Sequence, residues 1–321
     1  MQLKRCIHTV FSAQFILRIT AICVLVLCAP ISWAHAQDAS FTVGFPQYNM
    51  ADDWRRAQVM AVAGELNKHD DIEFIYTDAR GDTAKNIRNI EKMVHNGIDL
   101  LIISPRNIAA ITPVITQVRL AGIPVVLLTQ RILTDDYTTF VSADDDKIAQ
   151  RAATYMAQQM NERGKILILQ GVPSTATAIK RTEGFLSEMA KYQNIDVVAL
   201  KTANNLRLEA AKMVEMALEE GLEFDAIYAQ SDSMASGARL ALKEAGIDPK
   251  SKLIVSIDYI PETRAAIRAG EQNATFTYPT SGREGAQLAV RILKGEMVAR
   301  EVEVPSEMVT RINVDHIDTV F

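Results

Sequence analysis

Short apolar runs recur along the chain at nearly regular intervals. They are Phe41–Phe45, Ile72–Tyr76, Leu100–Ser104, Pro124–Leu128, Ile166–Leu169, Val197–Leu200, Ala226–Ala229 and Leu253–Ile257. Most are rich in Val, Ile and Leu with little polar alternation, which predicts strands buried on both faces. The intervals between them carry helical spacing. Behind Trp54, the residues Val59, Val62, Ala63 and Leu66 fall at i, i+3, i+4 and i+7 and make one apolar face. Lys85–Asn96, Arg207–Glu219, Ser233–Ala245 and Pro261–Ala269 are patterned similarly. Asn96-Gly97, Ala121-Gly122, Ala245-Gly246 and Ala269-Gly270 place glycine just past a helix end, where it relieves the left-handed position.

Strand–helix–strand repetition predicts parallel sheets with right-handed crossovers, a doubly wound α/β fold. About eight such units are too many for one comfortable sheet. Two similar sheets, and hence two lobes, follow. No Pro/Gly-rich linker divides them, so close strands rather than a loose tether should join them. A single closed eight-unit barrel is the rival architecture, and the pattern alone separates the two poorly.

The first residues read differently. Lys4, Arg5 and Arg18 precede an apolar run, Ile19–Trp33, which ends in Ala34-His35-Ala36. That is the pattern of a secretory signal peptide, residues 1–36, cut after Ala36. The run is short for a permanent membrane helix. Lipid attachment fits less well, since Cys23 follows Ile22 and Cys28 follows Leu27, neither a small residue. All three cysteines, Cys6, Cys23 and Cys28, fall in this segment, so the mature chain should have no disulfide and no thiolate metal site. The whole chain has 34 Lys+Arg against 39 Asp+Glu, and losing a basic leader makes it more acidic still. An acidic exported protein is a poor partner for nucleic acid or anionic lipid.

Candidate catalytic chemistry is sparse. His69, His95 and His316 stand apart from any second ligand at metal spacing and from any nucleophile motif. There is no Gly-rich strand-to-helix fingerprint and no phosphate loop, so no nucleotide cofactor is indicated. Asp144-Asp145-Asp146 lacks the alternating spacing and distal Glu of a calcium loop. It reads better as the cap of a helix starting near Lys147. No enzyme activity, cofactor or metal is expected.

Several segments, taken in order and spacing, carry a resemblance. They are Thr42-Val43-Gly44-Phe45 with Trp54-Arg55, Gly97-Ile98-Asp99-Leu100 through Ser104-Pro105, and Ala121-Gly122-Ile123-Pro124-Val125-Val126. Leu169-Gln170-Gly171, Arg181-Thr182-Glu183-Gly184-Phe185, Tyr228 through Ala238, and Ser256-Ile257-Asp258 follow. The chain resembles the type I periplasmic sugar-binding proteins, the group with ribose- and galactofuranose-binding members. Phe45-Pro46-Gln47 with Trp54-Arg55 leans toward the galactofuranose branch. The resemblance implies two Rossmann-like lobes joined by a three-strand hinge, with the ligand between them at the carboxyl ends of the strands. One lobe would hold 41–143 plus 279–308, and the other 144–278 plus 309–321.

The same resemblance proposes ligand-binding residues. Trp54 would offer an aromatic face to a sugar's C–H patch, and Arg55 a fork for two hydroxyls. The competing readings are a core residue of the first helix and a solvated helix face. Arg181 falls where the family uses a ligand arginine, against the alternative of a surface charge. Asp258 matches a ligand aspartate, against the alternative of a cap for the helix from Pro261. Ser231 stands where ribose binders carry asparagine, and Tyr278 at a position near the hinge. Two departures stand out. Where many members carry Asp-Arg, this chain has Thr129-Gln130 with Arg131 next. Asn205 replaces an aromatic of ribose binders. These changes leave an acidic or phosphorylated sugar, or a non-sugar, open.

The expected protein is therefore a periplasmic monomer that closes around a small polar ligand, a monosaccharide in the first instance, and presents it to the permease of an ABC importer. The alternative is docking on a chemoreceptor or sensor histidine kinase. A DNA-binding regulator would need a helix pair where the export signal stands. A sugar-converting enzyme would need a base or metal that the sequence does not offer.

Overall fold

The computed structural model describes residues 41–51 and 53–320. The leader expected at 1–36, with its three cysteines, lies outside the described residues. Strands and helices alternate in chain order as β1 (Phe41–Gln47), α1 (Asp53–Leu66), β2 (Ile72–Asp78), α2 (Thr83–His95), β3 (Leu100–Ile103), α3 (Ile108–Leu120) and β4 (Val125–Leu128). They continue as β5 (Thr139–Ser142), α4 (Asp145–Gln159), β6 (Arg163–Gln170), α5 (Ala176–Met189), β7 (Asn194–Thr202), α6 (Arg207–Glu219) and β8 (Ala226–Ala229). The last elements are α7 (Asp232–Glu244), β9 (Leu253–Asp258), α8 (Pro261–Ala269), β10 (Ala274–Thr277), α9 (Gly282–Leu293), β11 (Glu301–Glu303) and β12 (Met308–Thr310).

These form two open six-stranded sheets, not a closed barrel. The first has the order β11-β5-β4-β3-β1-β2, parallel throughout. The second has the order β12-β10-β9-β8-β6-β7, parallel except for β12, which runs against β10. The central strands make each sheet apolar on both faces: β3 (Leu-Leu-Ile-Ile), β4 (Val-Val-Leu-Leu) and β8 (Ala-Ile-Tyr-Ala) are buried at every position. In β3, Leu100 and Ile102 enter one core while Leu101 and Ile103 enter the other. In β6, Ile166 and Ile168 pack with α4 and α5, and Leu167 and Leu169 with α6 and α7. Two sheets with two faces each account for four of the apolar clusters among the described residues, and a smaller fifth joins Tyr259, Ile267, Val309 and Val314.

The chain passes between the sheets three times: after β5, after β10, and between β11 and β12. The return after β10 brings α9 onto α1 and β4. Glycine makes this close approach possible. A Cβ at Gly282 would stand 2.6 Å from the Gln58 carbonyl oxygen, and one at Gly285 2.4 Å from Leu128 Cδ2. Met308, grouped from the sequence with the first lobe, pairs with Phe276 in the second sheet.

Candidate functional site

A cavity of about 650 Å³ opens where carboxyl ends of strands from both sheets face it. Open parallel sheets leave room for ligands at that edge. From the first sheet come Trp54 and Arg55 in the first turn of α1, Arg106 beyond β3, and Thr129 and Gln130 beyond β4. From the second come Asn204 and Asn205 after β7, Gln230, Ser231 and Ser233 around the start of α7, Asp258 ending β9, and Tyr278 after β10. Arg181, from α5, completes this wall.

Trp54 belongs to a helix of the first sheet but packs against a core of the second. Its ring lies 6.2 Å from that of Tyr278, tilted by 31°. The buried indole N–H has no hydrogen-bond partner among the described residues. Arg55 is buried and donates to Gln47 Oε1 at 2.5 Å. Gln130 reaches across the cavity from the first sheet and donates to Thr177 Oγ1 at 2.9 Å.

Arg181 is held more tightly than a surface charge. It is 4% exposed, donates from Nε to Asp145 Oδ1 at 2.8 Å, and donates from Nη1 to the Gln230 carbonyl. Its guanidinium also lies over the Tyr278 ring at 4.4 Å, and Tyr278 Oη donates to the other Asp145 oxygen at 3.2 Å. Burial is the strongest single influence and opposes the Arg181 charge, but Asp145, Tyr278, Asp258 and Tyr228 together outweigh it and hold the pKa above the usual guanidinium value. Burial, reinforced by the same carboxylate, pushes the Tyr278 phenol up.

Asp258 ends β9 in an unusual backbone conformation. Its φ is 134° and that of Tyr259 is 66°. Both angles are strained for residues with side chains, and such strain concentrates at functional sites. One carboxylate oxygen accepts the Asp232 N–H at 3.3 Å. Burial pushes the Asp258 pKa up to about 8, against the pull of Arg181 and with a push from Asp232. Asp258 does not cap α8. That helix starts after Ile260 with no side-chain cap, and Asp232 takes the Tyr259 and Ile260 N–H groups instead. Ser231 lines the cavity, but its hydroxyl caps α7, accepting from Met234 N–H at 3.4 Å. Asp144 likewise caps α4, taking the N–H groups of Asp146 and Lys147, with the helix beginning at Asp145.

Eight of the nine residues singled out from the sequence therefore meet at one cavity: Trp54, Arg55, Gln130, Arg181, Asn205, Ser231, Asp258 and Tyr278. Arg131 does not. It forks onto Glu301 of β11, donates to Tyr137 Oη at 2.9 Å, and lies over the Phe140 ring at 4.2 Å. Arg106, Asn204, Arg207, Gln230 and Ser233 also line the wall and were not singled out. Their signal was positional. Each lies one to five residues beyond the carboxyl end of a strand, where this fold places its ligand groups.

The wall has four arginines and one carboxylate, Asp258. Asp145 balances Arg181, and Glu262 pairs with Arg207. No histidine or cysteine lines it. Among the described residues no group of three or more His, Cys, Asp or Glu could hold a metal ion, and no helix is long and apolar enough to cross a membrane. Donors, acceptors and aromatic edges suit this wall to holding a polar molecule.

Known proteins match this chain along most of its length. The family model for the periplasmic binding protein domain matches residues 43–297. A xylitol-binding protein of Mycolicibacterium smegmatis is 31% identical over 251 residues, 77% of this chain and 71% of that protein. The crystal structure of an ABC transporter solute-binding protein from Bacillus halodurans with bound myo-inositol has a TM-score of 0.80 at 27% identity, covering 87% of this chain and 97% of that one. The fructose-binding periplasmic domain of a hybrid two-component system has a TM-score of 0.78 at 29% identity, covering 86% and 92%. With its two doubly wound sheets and a cavity at their facing edges, the chain belongs to the type I periplasmic binding proteins, in their sugar-binding group.

Proposed function

We propose that this chain is an exported solute-binding protein that holds one small polyhydroxylated ligand, passes it to an ABC importer, and does no chemistry on it. The observation that carries this reading is the convergence of Trp54, Arg55 and Gln130 from one sheet with Arg181, Asn205, Asp258 and Tyr278 from the other. Trp54 would stack on the ligand's C–H face and give its N–H to an oxygen. Asp258, protonated below about pH 8 in the ligand-free protein, would both accept from and donate to hydroxyls, Arg55 and Arg181 would donate, and Gln130 and Asn205 would do both. Ser231 would act mainly as a helix cap at the cavity edge.

The three chain crossings support a hinge between two lobes, 41–143 plus 279–307 and, with Met308 in the second sheet, 144–278 plus 308–321. Ligand contacts from both sides would favour the closed form only as far as they bind it better than the open one. The leader would be removed after Ala36, and the mature monomer would work in the periplasm. The ligands of the similar proteins, xylitol, myo-inositol and fructose, make polyols, cyclitols and ketoses the first candidates.

Trp54 is the one tryptophan outside the leader, so its emission reports the cavity directly. The test is a panel of polyols, cyclitols, pentoses, hexoses, furanoses and acidic sugars, read by Trp54 fluorescence and by thermal shift. A ligand selective for the folded state raises the melting temperature. We expect at least one compound to move both signals. A panel that moves neither overturns the sugar reading, and a thermal shift without an emission change removes Trp54 from the site.

A second reading is favoured by the fructose-binding domain of the hybrid two-component system. Here the liganded chain would dock on a sensor or chemoreceptor. Deleting the gene separates the two: import predicts lost uptake of labelled ligand, and sensing predicts intact uptake with a lost response.

A further inference from the structure

We propose that Gly171 is a specificity-determining residue of the cavity: by having no side chain, it seats the Asn205 amide in the wall. This inference rests on the binding function proposed above. Gly171 follows β6, and its backbone is fixed by an N–H bond to Gln230 Oε1 at 3.0 Å. A Cβ at this position would stand 2.6 Å from Asn205 Oδ1 and 3.1 Å from both Asn205 Cγ and Nδ2. The amide therefore lies flat against the Gly171 α-carbon, and any side chain at 171 takes its place.

The loop that carries Asn205 is poorly able to retreat. Asn204 and Asn205 both sit in the left-handed region, with φ of 50° and 62°. Asparagine is among the few residues that tolerate this conformation. Ala203 N–H bonds to the Gln170 carbonyl at 2.8 Å, and Leu206 N–H bonds to the Ala203 carbonyl at 2.8 Å. Asn204 Nδ2 is tied to Glu209 Oε2 at 2.7 Å. With the backbone held on both sides, a methyl at 171 moves the amide rather than the loop. An amide offers one donor face and one acceptor face to a ligand hydroxyl. Displacing it changes which hydroxyl stereochemistry the wall accepts, and a site built to bond a hydroxyl discriminates strongly against a ligand that cannot supply it.

Three variants test this: Gly171→Ala, Asn205→Ala and the double variant. The readouts are calorimetric Kd values for the tightest panel ligand and for an epimer of it, with melting temperatures of the ligand-free proteins. Gly171→Ala should weaken the tightest ligand by about tenfold and change the ratio between the epimers. Asn205→Ala should do the same. The double variant should match Asn205→Ala within about twofold, since the clash has gone. In the ligand-free proteins, Gly171→Ala should lower the melting temperature by less on an Asn205→Ala background than alone, since Ala at a φ of 62° has its own cost and only the coupling between the two changes reports the clash. Unchanged binding by Gly171→Ala, multiplying losses in the double variant, or an unchanged epimer ratio overturns the inference. If the unmodified chain binds nothing in the panel, the proposed function falls. The melting cycle still decides the seat, because additive losses there reject it.

Discussion

Asp232 and Asp258 hold each other's backbone. The Asp258 carboxylate accepts the Asp232 N–H at 3.3 Å, and the Asp232 carboxylate accepts the N–H next after Asp258, that of Tyr259, at 2.8 Å. The start of α7 and the end of β9 are thereby locked together, and the strained conformation of Asp258 is fixed from outside the cavity. Asp232 is fully buried and also accepts from Ile260 N–H at 3.0 Å, from Thr275 Oγ1 at 2.7 Å and from Ser256 Oγ.

Asp232→Ala takes the acceptor from four donors, of which the Ser256 hydroxyl can turn to Thr275 Oγ1 at 3.4 Å, so three are left unpaired. At roughly 1 kcal/mol or more for each, the expected loss is about 3 kcal/mol or more. Urea denaturation of the ligand-free protein measures it. Because Tyr259 and Ile260 set the direction of Asp258, ligand affinity should fall as well. A variant with unchanged stability would show that the exchange does not hold this corner.

The raised pKa of Asp258 makes stability depend on pH. Folded, the carboxyl keeps its proton up to about pH 8; unfolded, it loses it near the ordinary value of 3.8. Between those limits the folded protein binds more protons than the unfolded one, so this group's contribution falls as pH rises. One proton gives a slope of at most about 1.4 kcal/mol per pH unit. Ligand-free stability measured from pH 5 to pH 8 should therefore decline, and Asp258→Asn should flatten the decline and raise stability at pH 8. An identical slope in the variant would remove Asp258 as its source.

Periodicity made most of the sheets legible, and short strands without an apolar run hid from it whether they lie at an edge or inside. All eight apolar runs became strands, because buried parallel strands need apolar residues on both faces. β10 is Ala-Thr-Phe-Thr, and β11 is Glu-Val-Glu at a sheet edge. Neither carries an apolar run, since β10 buries hydroxyls in hydrogen bonds and β11 meets solvent on one side. The cavity was legible where a family position coincided with a strand end. Asp145 was not, because its role as the counter-ion of Arg181 depends on α4 and α5 packing side by side. No spacing along the chain encodes that contact.

The Arg181–Asp145 pair is buried on both sides, with side chains 5% and 8% exposed. Removing one partner leaves the other charge uncompensated in a low-dielectric setting, at a cost of about 3–5 kcal/mol. Arg181→Met should therefore be far less stable, and adding Asp145→Asn should recover most of the loss by removing the stranded charge. Equilibrium unfolding of the two variants checks this. If the second substitution recovers nothing, the pair is not what stabilises this part of the wall.

Gln130 and Arg131 are neighbours in sequence with opposite surroundings, which gives the sharpest test of where the cavity lies. Gln130 lines it and bonds to Thr177 from the other sheet, whereas Arg131 is committed to Glu301 and Tyr137 at the edge of β11. Gln130→Ala should raise the ligand Kd by about tenfold, since it removes one wall contact and one bond between the sheets. Arg131→Gln should leave Kd within about twofold and cost about 1 kcal/mol of stability, the range for a half-exposed ion pair. Calorimetry and thermal unfolding read both quantities on the same samples. If Arg131→Gln abolished binding while Gln130→Ala did not, the guanidinium would have to leave Glu301 and enter the cavity, and the wall described here would be wrong at that corner.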